Sequence, residues 1–481
     1  MVTGQDRRPI TTRGLAGLLI VTLSGLTATG CAMFKRYDVA QIHQESATRQ
    51  KRNPVIFIHG FIGSKLKNRH THESVWGRFI DAVRSGRTED LRLPIDILPI
   101  TENRDDLVPY AIYESVAGVK FYGDILEAFD KVGGYRMGDI NNPHPGDTCF
   151  VYYYDWRRDN VESALGLGRA IRQIKARLNE PDLRFDIVAH SMGGLIAEYY
   201  LKYGMEDVLS DGRDHPVTYA GASNIGRLVL LGTPLKGTMS SFRVMNTGFS
   251  RTMSPEVVFS MPSIYQLLPH DGRSHFIDPQ GNPVDINLYD ARSWVDNGWS
   301  IFDSRISPGN HPALGVNGSR PVPANAGTLR ARSIRFLQAA LDRARAFHAA
   351  LGRDSGGGSP VPVHVFGSDC IPTLDRVILR PTAAGFEPLF NDEKTAVREL
   401  RQVEKAMLAP GDGTVTADSL LGIAGGLREE SALNRPFAST FFFCESHGLL
   451  PSNRGFQDNL FYVLFYSPAR PAPLAGMVGS R

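Results

Sequence analysis

The chain has 481 residues, 42% of them hydrophobic and 21% charged, with a formal charge of +3 at pH 7. That balance describes a globular protein with ample material for a core, and the charge is too small at this length to argue for a nucleic-acid partner. No repeat period, P-loop or dinucleotide-binding glycine fingerprint is present, while 48 glycines and 30 prolines point to long, loop-rich connections.

In chain order, the first feature is an address. Arg7, Arg8 and Arg13 precede an uncharged apolar core from Leu15 to Leu26, and Ala28-Thr29-Gly30 leads into Cys31. This is the architecture of a secretory signal over residues 1–31. It resembles a bacterial lipoprotein signal with Cys31 as the lipidated residue, although Ala28 stands where that pattern prefers leucine. The expectation is an exported, membrane-anchored bacterial lipoprotein at the outer membrane or cell surface, with a periplasmic or secreted form as the alternative.

Residues 32–52 read as a polar tether. A first core strand, Pro54 to Ile58, ends at His59-Gly60-Phe61-Ile62-Gly63-Ser64, and residues 64–123 form a mixed, loop-rich insertion. A second strand, Phe150 to Tyr154, ends in Asp155-Trp156-Arg157. The spacing of Val161, Leu165, Ile171, Ile174 and Leu178 then predicts a crossover helix. Strands follow at Phe185–Val188 and Leu228–Leu231, the latter closing in Gly232-Thr233-Pro234. Residues 235–327 lose this pattern and read as an inserted cap or lid, since long loops inside a compact fold are usually functional. A helix over Leu329–Leu351, a strand over Val361–Phe366, an excursion to Gly411-Asp412-Gly413-Thr414-Val415 and a strand over Thr440–Phe443 complete the core. Short apolar strands alternating with helices predict an α/β fold, a mainly parallel sheet with helices on both faces. Its core segments are 53–234 and 328–467, followed by a tail over 468–481.

Phe185-Asp-Ile-Val-Ala-His-Ser-Met-Gly-Gly194 carries the chemistry. An apolar strand runs into a serine flanked by small residues, and an amphipathic helix starts at once. That is a nucleophile elbow, Gly-x-Ser-x-Gly with Ala189 in place of the first glycine. A serine hydroxyl needs a positioned base, and the base an acid to fix its tautomer. In this fold the order is serine, acid, histidine. His447 is the one histidine after Phe366 and follows the last strand, so it is the expected base for Ser191. For the acid, Asp412 between two glycines stands modestly ahead of Asp369, which directly follows the Val361–Phe366 strand; Glu445 is too close to His447 in sequence to reach its ring. The developing oxyanion needs two main-chain donors, worth about 3 kcal/mol each. Met192 N–H and Phe61 N–H are the candidates. His190 reads as structural, its ring turned away from the nucleophile. His70-Thr-His72 offers two metal ligands with no third nearby, and no metal or organic cofactor is expected. Of Cys149, Cys370 and Cys444 at most one pair can bridge; Cys370 and Cys444 follow strands expected to be neighbours, and a reduced buried thiol is as compatible.

With these motifs in view, the chain resembles the lecithin:cholesterol acyltransferase family of α/β-hydrolases, which includes lysosomal phospholipase A and phospholipid:diacylglycerol acyltransferases. The resemblance rests on His59-Gly-Phe-Ile-Gly-Ser64, Tyr154-Asp-Trp-Arg157, Ala189-His-Ser-Met-Gly193, Leu231-Gly-Thr-Pro234, Pro262-Ser-Ile-Tyr-Gln-Leu-Leu-Pro269, Gly411-Asp-Gly-Thr-Val415 and His447-Gly448. It implies an α/β-hydrolase fold, raises Asp412 over Asp369, makes residues 64–123 a membrane-contacting subdomain and places a lid over an acyl tunnel. It further implies acyl transfer from a phospholipid or other acyl lipid to water or a lipid alcohol at a membrane surface, with no protein partner inferable. His59, Gly60, Asp155, Trp156, Arg157 and His190 are then expected in the pocket wall, against the lid, or just behind the reacting groups. The rival enzyme reading is a serine esterase or deacylase on another lipid-linked substrate, and the rival from a different class is a lipoprotein that only binds lipid or a partner.

Overall fold

The computed structural model describes residues 52–77, 87–96, 98–116, 119–249, 253–304, 326–353, 358–383, 385–391, 401–423 and 437–467, with Val39, His43 and Gln44 beside them. The signal with Cys31, most of the 32–52 tether, residues 305–325 of the expected lid and the 468–481 tail lie outside the described residues. Among the described residues no helix is long and apolar enough to cross a membrane.

Among the described residues seven parallel strands make the central sheet: β1 Val55–Ile58, β2 Met137–Gly138, β3 Cys149–Tyr152, β4 Phe185–His190, β5 Ile225–Leu231, β6 Val363–Gly367 and β7 Ser439–Phe442. Their order across the sheet is β7-β6-β5-β4-β1-β3-β2, so the chain starts near the middle and winds outward in both directions. The helices that position the site are α1 Gly123–Lys131, α2 Asn160–Leu178, α3 Met192–Tyr203, α4 Met239–Thr247, α5 Ala326–Gly352 and α6 Arg454–Tyr466.

Strand periodicity divides the core in two. Ile56, Ile58, Ile187, Leu228, Leu230 and Val365 face one side, where they pack with residues of α2, α3 and α5. Val55, Phe57, Val188, Val229 and Phe366 face the other, against Ile125 and Phe129 of α1 and Phe456, Leu460, Phe461 and Leu464 of α6. Each fully buried aliphatic or aromatic side chain contributes about 1.5–3 kcal/mol. Such double-sided cover is why the strands read as continuous apolar runs rather than as alternations. The predicted strands and the long helix are all present, with ends shifted by one to three residues.

Two features differ from the sequence reading. Within 64–123 the described residues hold more regular structure than the composition suggests: Ser64–Asn68, Ser74–Trp76 and Leu107–Ile112 form an antiparallel sheet, and α1 begins at Gly123. The cap is also not confined to 235–327. Its strand Phe276–Ile277 pairs with Val377–Thr382, which pairs in turn with Gly385–Leu389, so the late excursion supplies two of three strands in a small sheet.

Candidate active site

β4 ends at His190 and α3 begins at Met192, leaving Ser191 to turn the corner alone at φ 56° and ψ −128°. A non-glycine residue there carries roughly 1–3 kcal/mol of strain, which the surrounding structure must hold. Ser191 N–H donates to Leu231 O at 2.8 Å, and Ser191 O accepts Gly194 N–H at 2.9 Å. Space dictates the small neighbours. A Cβ on Gly193 would lie 2.4 Å from His59 O, and one on Gly60 would lie 2.7 Å from Ser191 Cβ. Ala189, the departure from the usual motif, sits fully buried between Ile58 and Leu230.

His447 opens a short 3-10 turn after β7, and its Nε2 lies 2.8 Å from Ser191 Oγ. Its Nδ1 lies 2.7 Å from Asp412 Oδ2. Asp412 is 2% exposed and its other oxygen, Oδ1, accepts the N–H groups of Thr414 at 2.9 Å and Val415 at 2.7 Å. The same loop accepts His447 N–H on Asp412 O at 2.9 Å, so carboxylate and imidazole are joined by main chain as well as side chain. Asp369 is exposed and makes no contact with His447, while Glu445 bonds Ser446 and Asn453. Cys370 and Cys444 form a disulfide, tying the ends of β6 and β7 together three residues before His447; Cys149 is buried and unpaired.

An apolar cavity of about 480 Å³ opens over Ser191. Phe61, Trp76 and Tyr113 contribute one wall and Val244, Phe249 and Ile264 another. Hydroxyls in the lining are mostly committed: Thr238 and Ser240 donate to Thr414 O, and Ser241 donates to Thr238 O. Tyr113 has a buried hydroxyl with no partner among the described residues. Neither Phe61 N–H nor Met192 N–H is taken by another described residue, whereas Gly60 N–H donates to Tyr122 Oη at 3.0 Å.

The remaining expected residues are arranged as follows. His59 is fully buried and stacks on Tyr154 at 4.3 Å; its Nε2 accepts Tyr154 N–H, and burial lowers the ring to about 4, keeping it neutral. Asp155, Trp156 and Arg157 do not line the cavity. Arg157 is instead clamped by Asp155 and by Asp105 of the early insertion, with bonds of 2.6–2.9 Å to each carboxylate, and also donates to Leu91 O. Its tie is therefore to the 64–123 insertion, while the main chain at 156–157 meets Ser263 of the later chain. Trp156 lies behind Phe61, ring centroids 5.1 Å apart, and bonds Ser64 O. His190 lines the cavity, with its ring 4.9 Å from the His447 ring rather than turned wholly away from the site. His70 pairs with Asp106, and no metal-holding cluster occurs among the described residues. Tyr113 and Tyr122 belong to none of the sequence motifs. Each is one aromatic residue in a stretch without periodicity, and the sequence gives no signal to single it out.

Residues 116–297 match the lecithin:cholesterol acyltransferase family. That span holds the Asp-Trp-Arg triplet, the Ser191 elbow and the first part of the cap, so the resemblance drawn from motifs is borne out there; Asp412, His447 and the His59–Ser64 loop lie beyond it. No curated protein matches the sequence. Among solved structures, a chain of the Tle4-Tli4 complex superposes with a TM-score of 0.52 at 14% identity, covering 86% of this chain and 98% of that one. Bacillus licheniformis lipase BlEst2 in its propeptide form gives a TM-score of 0.34 at 10% identity over 88% of this chain and 52% of that one. EstA from Clostridium botulinum gives 0.34 at 12% identity over 89% and 91%. The fold is that of the α/β-hydrolases.

Proposed function

We propose that this chain is a lipid acyl hydrolase or O-acyltransferase that works through an acyl-serine intermediate on Ser191. The observation that carries the reading is His447 Nε2 at 2.8 Å from Ser191 Oγ, at the foot of an apolar cavity large enough to take an acyl chain. The family match supports acyl-lipid chemistry in general. In the proposed cycle His447, oriented by Asp412, takes the Ser191 proton as Oγ attacks the ester carbonyl. Phe61 and Met192 N–H groups stabilise the oxyanion. His447 then protonates the departing alcohol, leaving the acyl group on Oγ. Water or a lipid alcohol, deprotonated by the same imidazole, releases the acyl chain and restores the serine. No step calls for a metal or an organic cofactor.

A phospholipid is the favoured donor, in keeping with the match to the lecithin:cholesterol acyltransferase family. The early insertion is the proposed membrane-contacting surface, and Cys31 the proposed lipid anchor of an exported protein. The test is labelling by a fluorophosphonate probe followed by assay on phosphatidylcholine vesicles with and without a sterol or diacylglycerol. Ser191→Ala is expected to abolish labelling and lower kcat by about 10³–10⁶. A wild-type enzyme that resists the probe would refute the acyl-serine reading, and labelling without phospholipid cleavage would favour the esterase or deacylase alternative.

A further inference from the structure

Three hydrogen bonds connect the loop bearing Phe61 to the loop bearing His447. Gly60 N–H meets Tyr122 Oη at 3.0 Å, Tyr122 Oη lies 2.9 Å from His190 Nδ1, and His190 Nε2 lies 3.1 Å from His447 O. Both ends fix the direction. The His447 carbonyl can only accept, so Nε2 carries the ring proton and donates it. A neutral imidazole then has Nδ1 as acceptor, so the Tyr122 hydroxyl donates there and takes Gly60 N–H on its oxygen. Tyr122 and His190 are each 4% exposed. Burial, and after it the neighbouring His447, holds the His190 ring well below the usual imidazole range, in the neutral form the chain of bonds requires.

We propose that Tyr122 and His190 are positioning residues that lock the oxyanion loop and the base loop into one register around Ser191. The inference rests on the acyl-serine reading. By engaging Gly60 N–H, Tyr122 leaves the next amide, Phe61 N–H, as the loop's donor to the substrate. By holding the His447 carbonyl, with the two rings 4.9 Å apart, His190 limits how far the imidazole can drift from its 2.8 Å contact with Ser191. Neither group touches the reacting atoms. Their effect is geometric, and catalytic rates respond steeply to displacements of about 1 Å.

The experiment is a double-mutant cycle with Tyr122→Phe and His190→Gln. The first removes one oxygen; the second keeps an N–H near the Nε2 position but gives up the Tyr122 partner. Each single variant is expected to lower kcat and the fluorophosphonate labelling rate about tenfold with KM within about twofold, and the double variant to lose no more than either single, because one chain of bonds is broken in both. Rates are taken per titrated active site alongside thermal unfolding, so a purely structural role would lower Tm and leave the per-site rate unchanged. Should His190→Gln fail to fold, Tyr122→Phe decides alone. Wild-type rates in folded Tyr122→Phe, or losses that multiply to about a hundredfold, overturn the proposal while the acyl-serine reading stands. Failure of the wild type to label overturns both.

Discussion

Asp412→Asn tests the assignment of the acid with a change of one atom. The carboxylate has two different clients: Oδ1 accepts Thr414 and Val415 N–H, and Oδ2 accepts His447 Nδ1–H. An asparagine amide must choose. Placing its NH₂ towards the loop would face two N–H donors with a third and forfeit two hydrogen bonds to a charged acceptor, each worth about 1.5–3 kcal/mol. The oxygen therefore stays on the loop and the NH₂ meets His447. Nδ1 then has to accept, the ring proton moves to Nε2, and the imidazole presents a donor to Ser191 where a base is needed. The same exchange in a serine protease triad lowers kcat by about 10⁴, close to 5.5 kcal/mol at 1.36 kcal/mol per decade. A loss of that order is expected here, with KM little changed and the fold intact by circular dichroism, measured on a chromogenic ester and on phospholipid vesicles. Exposed Asp369→Asn should behave as wild type. An Asp412→Asn enzyme within tenfold of wild-type kcat would show that the acid lies elsewhere and would sink the reasoning.

Three further outcomes follow from the fold. Reducing Cys370–Cys444, or replacing both by serine, opens a loop spanning 74 positions and should lower stability by up to about 4 kcal/mol in urea titration, with a chain-entropy origin. Arg157→Met leaves Asp105 and Asp155 buried without their cation and should destabilise by roughly 3–5 kcal/mol, read as a lower denaturant midpoint; a neutral effect would mean the pair is already solvated. His348, buried between Tyr289 Oη and Gln266 O, is lowered by burial to about 4, against 6.5 for an exposed ring. Its contribution is full above about pH 6.5 and is lost as pH falls towards 4, because only the unfolded chain takes up the proton there. His348→Gln should flatten the stability–pH slope in that window by about 1.4 kcal/mol per pH unit, one proton's worth.

Much of the framework could be read from residues because it obeys local rules. Strands covered on both faces show as apolar runs, the elbow shows as a strand meeting a helix across small residues, and His447 emerges from a count of histidines. What stayed hidden depends on distance in the chain. Ser64–Asn68 reads Ser-Lys-Leu-Lys-Asn, too polar to announce a strand, and gains its place by pairing with Leu107–Ile112 some forty residues on. Arg157 could be seen to need a partner, but Asp105 is one acid among many until the fold brings it near. His190 was expected to face away because the elbow aims the serine outward; the turn of β4 instead carries its ring to the base loop, where an acceptor is waiting.

The small sheet above the core has an implication for how such enzymes diversify. Phe276–Ile277 is stitched to Val377–Thr382, and the strand just before that hairpin, Ile371–Leu374, runs antiparallel to Leu408–Gly411, which delivers Asp412. A cassette cut at 235 and 327 would tear away one strand and strand its neighbour with an open edge. Grafting a new specificity onto this scaffold therefore means exchanging two stretches of chain at once, and a poorly matched graft would be felt first as a displaced carboxylate rather than as a misshapen pocket.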